Sequence, residues 1–350
     1  MKDFASNLNP FLSELEPDDA GLDREEVSRR YGISLENIMM LSRNENPYGP
    51  SPRVWEAAKG VPLQRYPNSR HFVKAVSDYT GFSEENIVVG AGMDEIITTI
   101  AWLFLGRSDK ALIPVPTYNL YGLAVRLCGA RPVYQPRLPG FEVSKEITKD
   151  AKMIFLCTPN NPTGNSISEE TVRAIADTTD GIVFLDEAYA EFAKKSLLNI
   201  VKEHDNIAAG RTLSKAFGLA GLRLGYAIVP SWIAEQYRRV APLFSISSFS
   251  LAAGEAALRD LKHMRQNVSK IVSERERMHC RIEGANPSQG NFLYIETPIR
   301  SAEITDCLLR RGIVVRDCSS MPGAGGNHIR VTVGTPEQND KFLEAYWSIQ

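Results

Sequence analysis

The sequence predicts an α/β fold: a large, mostly parallel sheet covered by helices on both faces, with a smaller α+β part beside it. Three observations carry this. Apolar runs recur at 86–89 (NIVV), 110–113 (KALI), 152–157 (KMIFLC), 182–185 (IVFL) and 224–229 (LGYAIV). Helical periodicity fills the gaps near 93–105, 118–128 and 168–177, and such alternation is the pattern of parallel strands joined by crossover helices. Past Pro242 the texture changes to a long polar helix near 251–282, then NFLYIE, a helix near 302–311, IVVR, HIRVTVG and a last helix. The division expected is a large domain over 46–245, and a small one made of 1–45 and 246–350.

At the N-terminal side, DREEVSRRY reads as a helix with Asp23 as its N-cap and Gly32 as its stop. The segment SRNENPYGPSP is too rich in Asn and Pro for regular structure. The stretch from Met1 to Pro17 carries Asp3, Glu14 and Glu16 and lacks the apolar run of a signal peptide. No uninterrupted apolar stretch nears the ~18 residues of a membrane span.

The 350 residues carry 40 basic and 42 acidic side chains, a formal charge of -2, which argues against a nucleic-acid partner. Five cysteines (128, 157, 280, 307, 318) include no Cys-x-x-Cys pair, so neither a disulfide framework nor a zinc ribbon is expected. The five histidines show no His-x-x-x-His pair. The expectation is a cytoplasmic protein with no metal, no nucleic acid and no membrane.

In parallel sheets, ligands bind beyond the carboxyl ends of the strands. The chain's chemistry should therefore follow the apolar runs. After NIVV comes GAGMDEI, where Gly90 and Gly92 let backbone approach a ligand and Met93 to Glu95 open a helix. Such a helix start suits one phosphate. A dinucleotide fingerprint would need glycine where Glu95 stands, and a plain strand-to-helix turn is the alternative. After the run KALI, PVPTYNLY sets Tyr118 and Tyr121 three apart; one of them can stack on an aromatic cofactor, or both serve the core. After MIFLC, CTPNNPTG offers the amides of Asn160 and Asn161, or is simply a rigid turn.

The run IVFLDEAY puts Asp186 at the carboxyl end of a buried strand, where a carboxylate needs a partner. A Walker B magnesium site would require a G-x-x-x-x-G-K-[ST] loop, which the chain lacks. A cationic ring nitrogen and a helix N-cap role are the other options. In TLSKAFGLAGLRLGY, Lys215 stands among small and hydroxyl residues, where an enclosed amine can lose its proton and form a Schiff base. Thr212, Ser214 and Arg223 can hold a phosphate opposite residues 92–94. Arg316 and Arg330 sit in or at the ends of apolar strands and want a carboxylate or phosphate, or an internal ion pair. Taken together, a Schiff-base lysine, an acid for a ring nitrogen, a stacking tyrosine and a phosphate cradle are the requirements of pyridoxal phosphate.

The ordered motifs NENPYG (44–49), RYP (65–67), GAGMDE, PTYNLY, NNPTG, DEAY, SKAFG, GLRLG, GNF and RVTVGT resemble the fold-type-I pyridoxal-phosphate aminotransferases over about residues 22–348. The nearest subgroup is the histidinol-phosphate aminotransferases. The resemblance implies Lys215 as the cofactor-linked proton shuttle, Asp186 on the pyridinium nitrogen, and Asn161 and Tyr189 on the ring hydroxyl oxygen. It implies Tyr118 stacked on the ring, with Gly92, Met93, Asp94, Thr212, Ser214 and Arg223 around the phosphate. Tyr66 would reach the phosphate of the partner subunit in a homodimer. Arg330 would hold the substrate carboxylate, Arg316 a distal anion, and Asn44 to Pro47, Asn46 included, would close over the substrate. Close relatives carry a Tyr-x-Pro-Gly stretch before the first helix; here ELEPDDAGLD brings Asp18 and Asp19 instead. An aromatic aminotransferase and a threonine-phosphate decarboxylase of the same fold are the alternative activities. The decarboxylases share TPNNPTG, but their N-terminal His-Gly-Gly is absent.

Overall fold

The computed structural model describes Leu12, residues 21–146 and residues 150–349, so the pair Asp18 and Asp19 lies outside the described residues. The elements run α1 (Arg24–Tyr31), β1 (Met39–Met40), α2 (Arg53–Lys59), α3 (Arg70–Thr80), β2 (Ile87–Gly90), α4 (Met93–Phe104), β3 (Lys110–Val115), α5 (Leu120–Leu127), β4 (Arg131–Pro136) and β5 (Met153–Cys157). They continue with α6 (Glu169–Thr178), β6 (Ile182–Asp186), β7 (Ile207–Thr212), β8 (Gly225–Ile228), α7 (Ser231–Val240), α8 (Ser248–Leu258) and α9 (Leu261–His279). The last are β9 (Phe292–Glu296), α10 (Ser301–Leu309), β10 (Ile313–Val314), β11 (Arg316–Asp317), β12 (His328–Thr332) and α11 (Pro336–Trp347).

The seven-stranded sheet has the order β2-β8-β7-β6-β5-β3-β4. Only β8 runs against the rest, pairing antiparallel with both β2 and β7. Side-chain parity along the strands divides the core. Leu112, Ile154, Leu156, Val183, Leu185, Ile207 and Ala209 face one side with Val172 and Ile175 of α6. Ile113, Phe155, Cys157, Phe184 and Ala208 face the other, against Ile96 and Ile100 of α4, Tyr121 and Val125 of α5 and Ile233 of α7. Period-two strands buried on both faces explain why they read as unbroken apolar runs.

The same parity sets the site. Residue 186 continues the side of Phe184, so Asp186 emerges toward α4 and α5. Glu187 continues the other side and meets Arg211, where the buried guanidinium donates to its carboxylate at 2.8 Å. Thr212, the next residue of β7, therefore returns to the side of Asp186.

The helix expected at the N-terminal end forms with a capping box: Asp23 accepts from the Glu26 amide at 2.7 Å, and Glu26 accepts from the Asp23 amide. Gly32 ends it at φ 68°, a conformation that suits glycine. The single polar helix expected over 251–282 is two helices, α8 and α9. Asp260 divides them: it leaves helical geometry, caps α9 at the His263 amide, and accepts from the Ser51 hydroxyl at 2.6 Å. Likewise IVVR is two strands. Ile313 and Val314 pair in parallel with β1, whereas Arg316 and Asp317 join the antiparallel sheet β11-β12-β9. The chain between β1 and α2 is irregular and runs along this small sheet, with the Thr332 amide donating to the Leu41 carbonyl at 2.8 Å. No helix among the described residues is long and apolar enough to cross a membrane.

Candidate active site

A cavity of about 800 Å³ opens at the carboxyl edge of the large sheet and extends to β10–β12. It gathers Asn44, Met93, Asp94, Tyr118, Asn161, Asp186, Tyr189, Thr212, Ser214, Lys215, Arg223, Arg316 and Arg330 from segments far apart in sequence. Parallel strands place these residues on one edge. The antiparallel β8 begins at that edge, so Arg223, which precedes it, arrives there too.

Lys215 follows β7 and its Nζ donates to the Arg43 carbonyl at 2.9 Å. Burial, with the Arg330 charge nearby, pushes its amine down to about 8. A sizeable neutral fraction thus exists near physiological pH, as a proton acceptor or nucleophile needs. Asp186 is 3% exposed. Its Oδ2 accepts from the Tyr121 hydroxyl at 2.6 Å and its Oδ1 from the Ala188 amide at 2.9 Å. Burial still pushes the carboxyl up to about 6. A carboxylate in this state gains from a cation, and the cavity is the open side from which one can approach.

The residues expected to cradle a phosphate gather at the start of the 12-residue helix α4. Gly92 has φ 84°, a conformation that favours glycine, and a Cβ there would lie 2.7 Å from the Arg223 guanidinium and displace it. Thr212 and Ser214 present hydroxyls 3.0 Å apart. Arg223 itself sits in the left-handed region at φ 49°, a conformation rare for its type, and reaches the Asp94 carboxylate at 2.9 Å. Asp94 also accepts from the Tyr118 hydroxyl at 3.1 Å, so its side chain is engaged.

Arg330 is buried. One guanidinium nitrogen donates to Asn161 Oδ1 and another to the Ser42 carbonyl, each at 2.5 Å, and Phe292 lies under its plane at 5.6 Å. Its Nε has no hydrogen-bond partner among the described residues. Arg316 stands opposite Arg330 in the register of β11 and β12. Two cations side by side, one of them desolvated, make an anion site.

Asn44 lies in the left-handed region at φ 53°. Its side chain donates to the Tyr189 hydroxyl at 2.9 Å, its amide donates to Thr332 Oγ1, and its carbonyl accepts from Asn291. It thereby fixes Tyr189, whose hydroxyl burial pushes up to about 12. Asn46 does not line this cavity. It donates to the Ala216 carbonyl at 3.0 Å and accepts from the Tyr48 amide, pinning the irregular segment beside Lys215. Asn160, unlike Asn161, is spent on structural bonds, donating to the Pro116 carbonyl and Thr163 Oγ1 and accepting from Thr117 and Arg137. Tyr66 is 81% exposed and away from its own chain's cavity, stacked on Phe244 at 4.7 Å. The carbonyls of Ser42 and Arg43 are site groups that strand-end reasoning does not reach, because they act through the backbone.

Desolvated base, buried acid and phosphate cradle fit pyridoxal phosphate group by group, and enzymes that set them at this edge of such a sheet form fold type I of that cofactor's class. Within the class, the chain belongs to aminotransferase class I and II, whose family model matches residues 36–345. It is 42% identical over 338 residues to the histidinol-phosphate aminotransferase of Methanosarcina mazei, covering 93% of this chain and 92% of that one. The histidinol-phosphate aminotransferase of Sinorhizobium meliloti, solved in complex with pyridoxal-5'-phosphate, superposes with a TM-score of 0.88 at 24% identity over 99% of both chains. The L-threonine-O-3-phosphate decarboxylase of Porphyromonas gingivalis superposes at 0.80 with 20% identity, covering 89% of this chain and 99% of that one. Fold alone therefore does not choose between transamination and decarboxylation.

Proposed function

We propose that this chain is a pyridoxal-phosphate aminotransferase that moves an amino group between glutamate and imidazole-acetol phosphate, forming histidinol phosphate. The observation that carries it is the placement of Lys215, with its lowered proton affinity, in one cavity with buried Asp186 and the anion site at Arg330. The substrate rests on the shared name of the relatives at 36–42% identity.

The chemistry that pyridoxal phosphate supplies when bound is an aldehyde for the substrate amine and a ring that spreads the charge left by the departing α-proton. Gly92, Met93 and Asp94 through their amides, with Thr212, Ser214 and Arg223, would hold its phosphate. Asp186 would accept from the ring N–H, and its charge would keep that proton in place. Asn161 and Tyr189 would orient the ring from its hydroxyl edge, and Tyr118 would cover its face. Lys215 Nζ would accept the proton from the substrate α-carbon and give it back at the carbon that carries the cofactor's aldehyde. Arg330 would hold the α-carboxylate, which would align the α-hydrogen with Lys215.

The test compares kcat/KM for histidinol phosphate, tyrosine and phenylalanine with 2-oxoglutarate as acceptor. Histidinol phosphate should win clearly. A win by an aromatic amino acid would replace the substrate and leave the mechanism. Release of carbon dioxide from phosphothreonine, with no transamination of any of the three, would overturn the aminotransferase reading.

Two further expectations belong here. Arg330→Lys should lower kcat/KM for glutamate by roughly tenfold or more, because an ammonium cannot reproduce two parallel N–H bonds worth ~1.5–3 kcal/mol. Steady-state kinetics with saturating cofactor check this; an unchanged value would place the carboxylate elsewhere. We also propose a cytoplasmic homodimer with two-part subunits, 46–245 and 1–45 with 246–350. The exposed cluster of Leu63, Tyr66, Leu243 and Phe244 supports pairing, since such a patch on a monomer is costly. Tyr66→Phe should then weaken cofactor retention on dialysis without changing the dimer seen by light scattering. Full activity from a monomer would count against it.

A further inference from the structure

We infer that Tyr121 is a positioning residue for Asp186, its hydroxyl orienting the carboxylate toward the cofactor's ring nitrogen and holding it ionised. The inference rests on the proposed cofactor chemistry and deepens it.

Tyr121 is fully buried, in the first turn of α5. Its ring stacks on Phe155 of β5 at 4.9 Å and 14°, and meets the Tyr118 ring edge-on at 5.7 Å. Those contacts leave its hydroxyl one direction, toward Asp186 Oδ2 at 2.6 Å. With Oδ1 held by the Ala188 amide, both oxygens are engaged from the protein side and the carboxylate plane is fixed. The short stretch that opens α5 thus supplies both tyrosines: Tyr118, just before the helix, would cover the ring, and Tyr121, in its first turn, aims the acid.

A phenol that donates favours the ionised form of its acceptor, opposing the burial that raises Asp186. The other titratable groups facing Asp186 are Asp94 of α4, Tyr118 just before α5, Cys157 of β5, and Glu187 and Tyr189 on its own segment. Burial raises the Tyr118, Tyr121 and Cys157 groups, so at neutral pH they stay protonated, and the carboxylates of Asp94 and Glu187 push Asp186 up. Within this set, Tyr121 is the side chain that donates to Asp186.

The experiment measures the affinity of the cofactor-free protein for pyridoxal phosphate from pH 5.5 to 9, in wild type, Tyr121→Phe and Phe155→Leu. Loss of the phenol raises the Asp186 carboxyl, so Tyr121→Phe should lose affinity as pH falls, earlier than wild type does. The ratio of dissociation constants, variant over wild type, should be near one at pH 9 and roughly tenfold at pH 5.5, the effect of a one-unit rise. Titration of the cofactor and of Lys215 is common to both and cancels. Phe155→Leu disturbs the stacking and keeps the phenol, so its ratio should be flat with pH. A flat ratio for Tyr121→Phe, or an equal slope for Phe155→Leu, would make Tyr121 a packing residue only. A wild type that binds no pyridoxal phosphate would overturn the cofactor reading as well.

Discussion

Lys215→Ala should lose turnover by a factor of at least roughly a thousand while the protein keeps its fold and its hold on pyridoxal phosphate. Positioned acid–base catalysis alone contributes ~10²–10⁴-fold, and on the proposed reading Lys215 also makes the covalent link to the cofactor. No neighbour can substitute. Among the described residues lining the cavity, the other cations are Arg43, Arg223, Arg316 and Arg330, and arginine does not give up its proton. The cradle is intact in the variant, because the glycine turn, the two hydroxyls and Arg223 do not depend on Lys215. Lys215→Arg should be equally inactive, which separates loss of the base from loss of charge. A small primary amine added to Lys215→Ala should restore part of the proton transfer and none of the covalent link. Single-turnover kinetics, with the cofactor's visible absorbance as the binding control, decide it. A variant within tenfold of wild type would remove Lys215 from the chemistry.

The prominence of Lys215 in the sequence came from its setting, not from its type. Hydroxyl and glycine neighbours marked it, and period-two burial on both faces marked the strands before it. Where those signals were weak, elements went unread. β7 spells IAAGRT, and its small residues and arginine hide a strand that is wholly buried. Gly210 is there because a Cβ would lie 2.5 Å from the Met93 side chain, and Arg211 because Glu187 receives it. β4, RPVYQP, carries two prolines, which a sheet edge tolerates; it is one of the two edge strands.

Residue types at strand ends pointed to the cavity, but the partner of each residue was legible only in part. Asn160 and Asn161 are indistinguishable as letters; the fold ties one to the chain after β3 and turns the other to Arg330. Tyr118 and Tyr121 were equivalent candidates for stacking. Parity and helix phase make one line the cavity and bury the other against Asp186. Such choices depend on three-dimensional neighbours contributed by other elements, and no local window of sequence contains them.

Asp186→Asn should separate function from stability in opposite directions. Asparagine keeps the shape and can accept from the Ala188 amide while its NH2 meets the Tyr121 oxygen. It cannot hold a positive ring nitrogen by charge, so turnover should fall by roughly a hundredfold or more with cofactor saturating, on the scale of a lost positioned acid–base group. The cofactor-free protein should behave the other way. Burial raises the folded carboxyl to about 6 from an ordinary 3.8. The folded state therefore binds that proton more tightly than the unfolded one. Its contribution is most favourable below about pH 4, declines as pH rises through 6, and is fully lost by pH 7 to 8. Two units correspond to roughly 2–3 kcal/mol of destabilisation at pH 8 in the cofactor-free protein. Asp186→Asn removes that cost, so its cofactor-free form should melt a few degrees above wild type at pH 8 and level with it near pH 4. Pyridoxal phosphate should close the gap by stabilising wild type more than the variant, because only wild type pairs a carboxylate with the ring cation. Thermal melts at pH 4 and pH 8, with and without cofactor, test all of this. A cofactor-free variant no more stable than wild type at pH 8 would mean that the carboxylate is already satisfied by the Tyr121 hydroxyl and the Ala188 amide, and that its service to the cofactor costs the fold nothing.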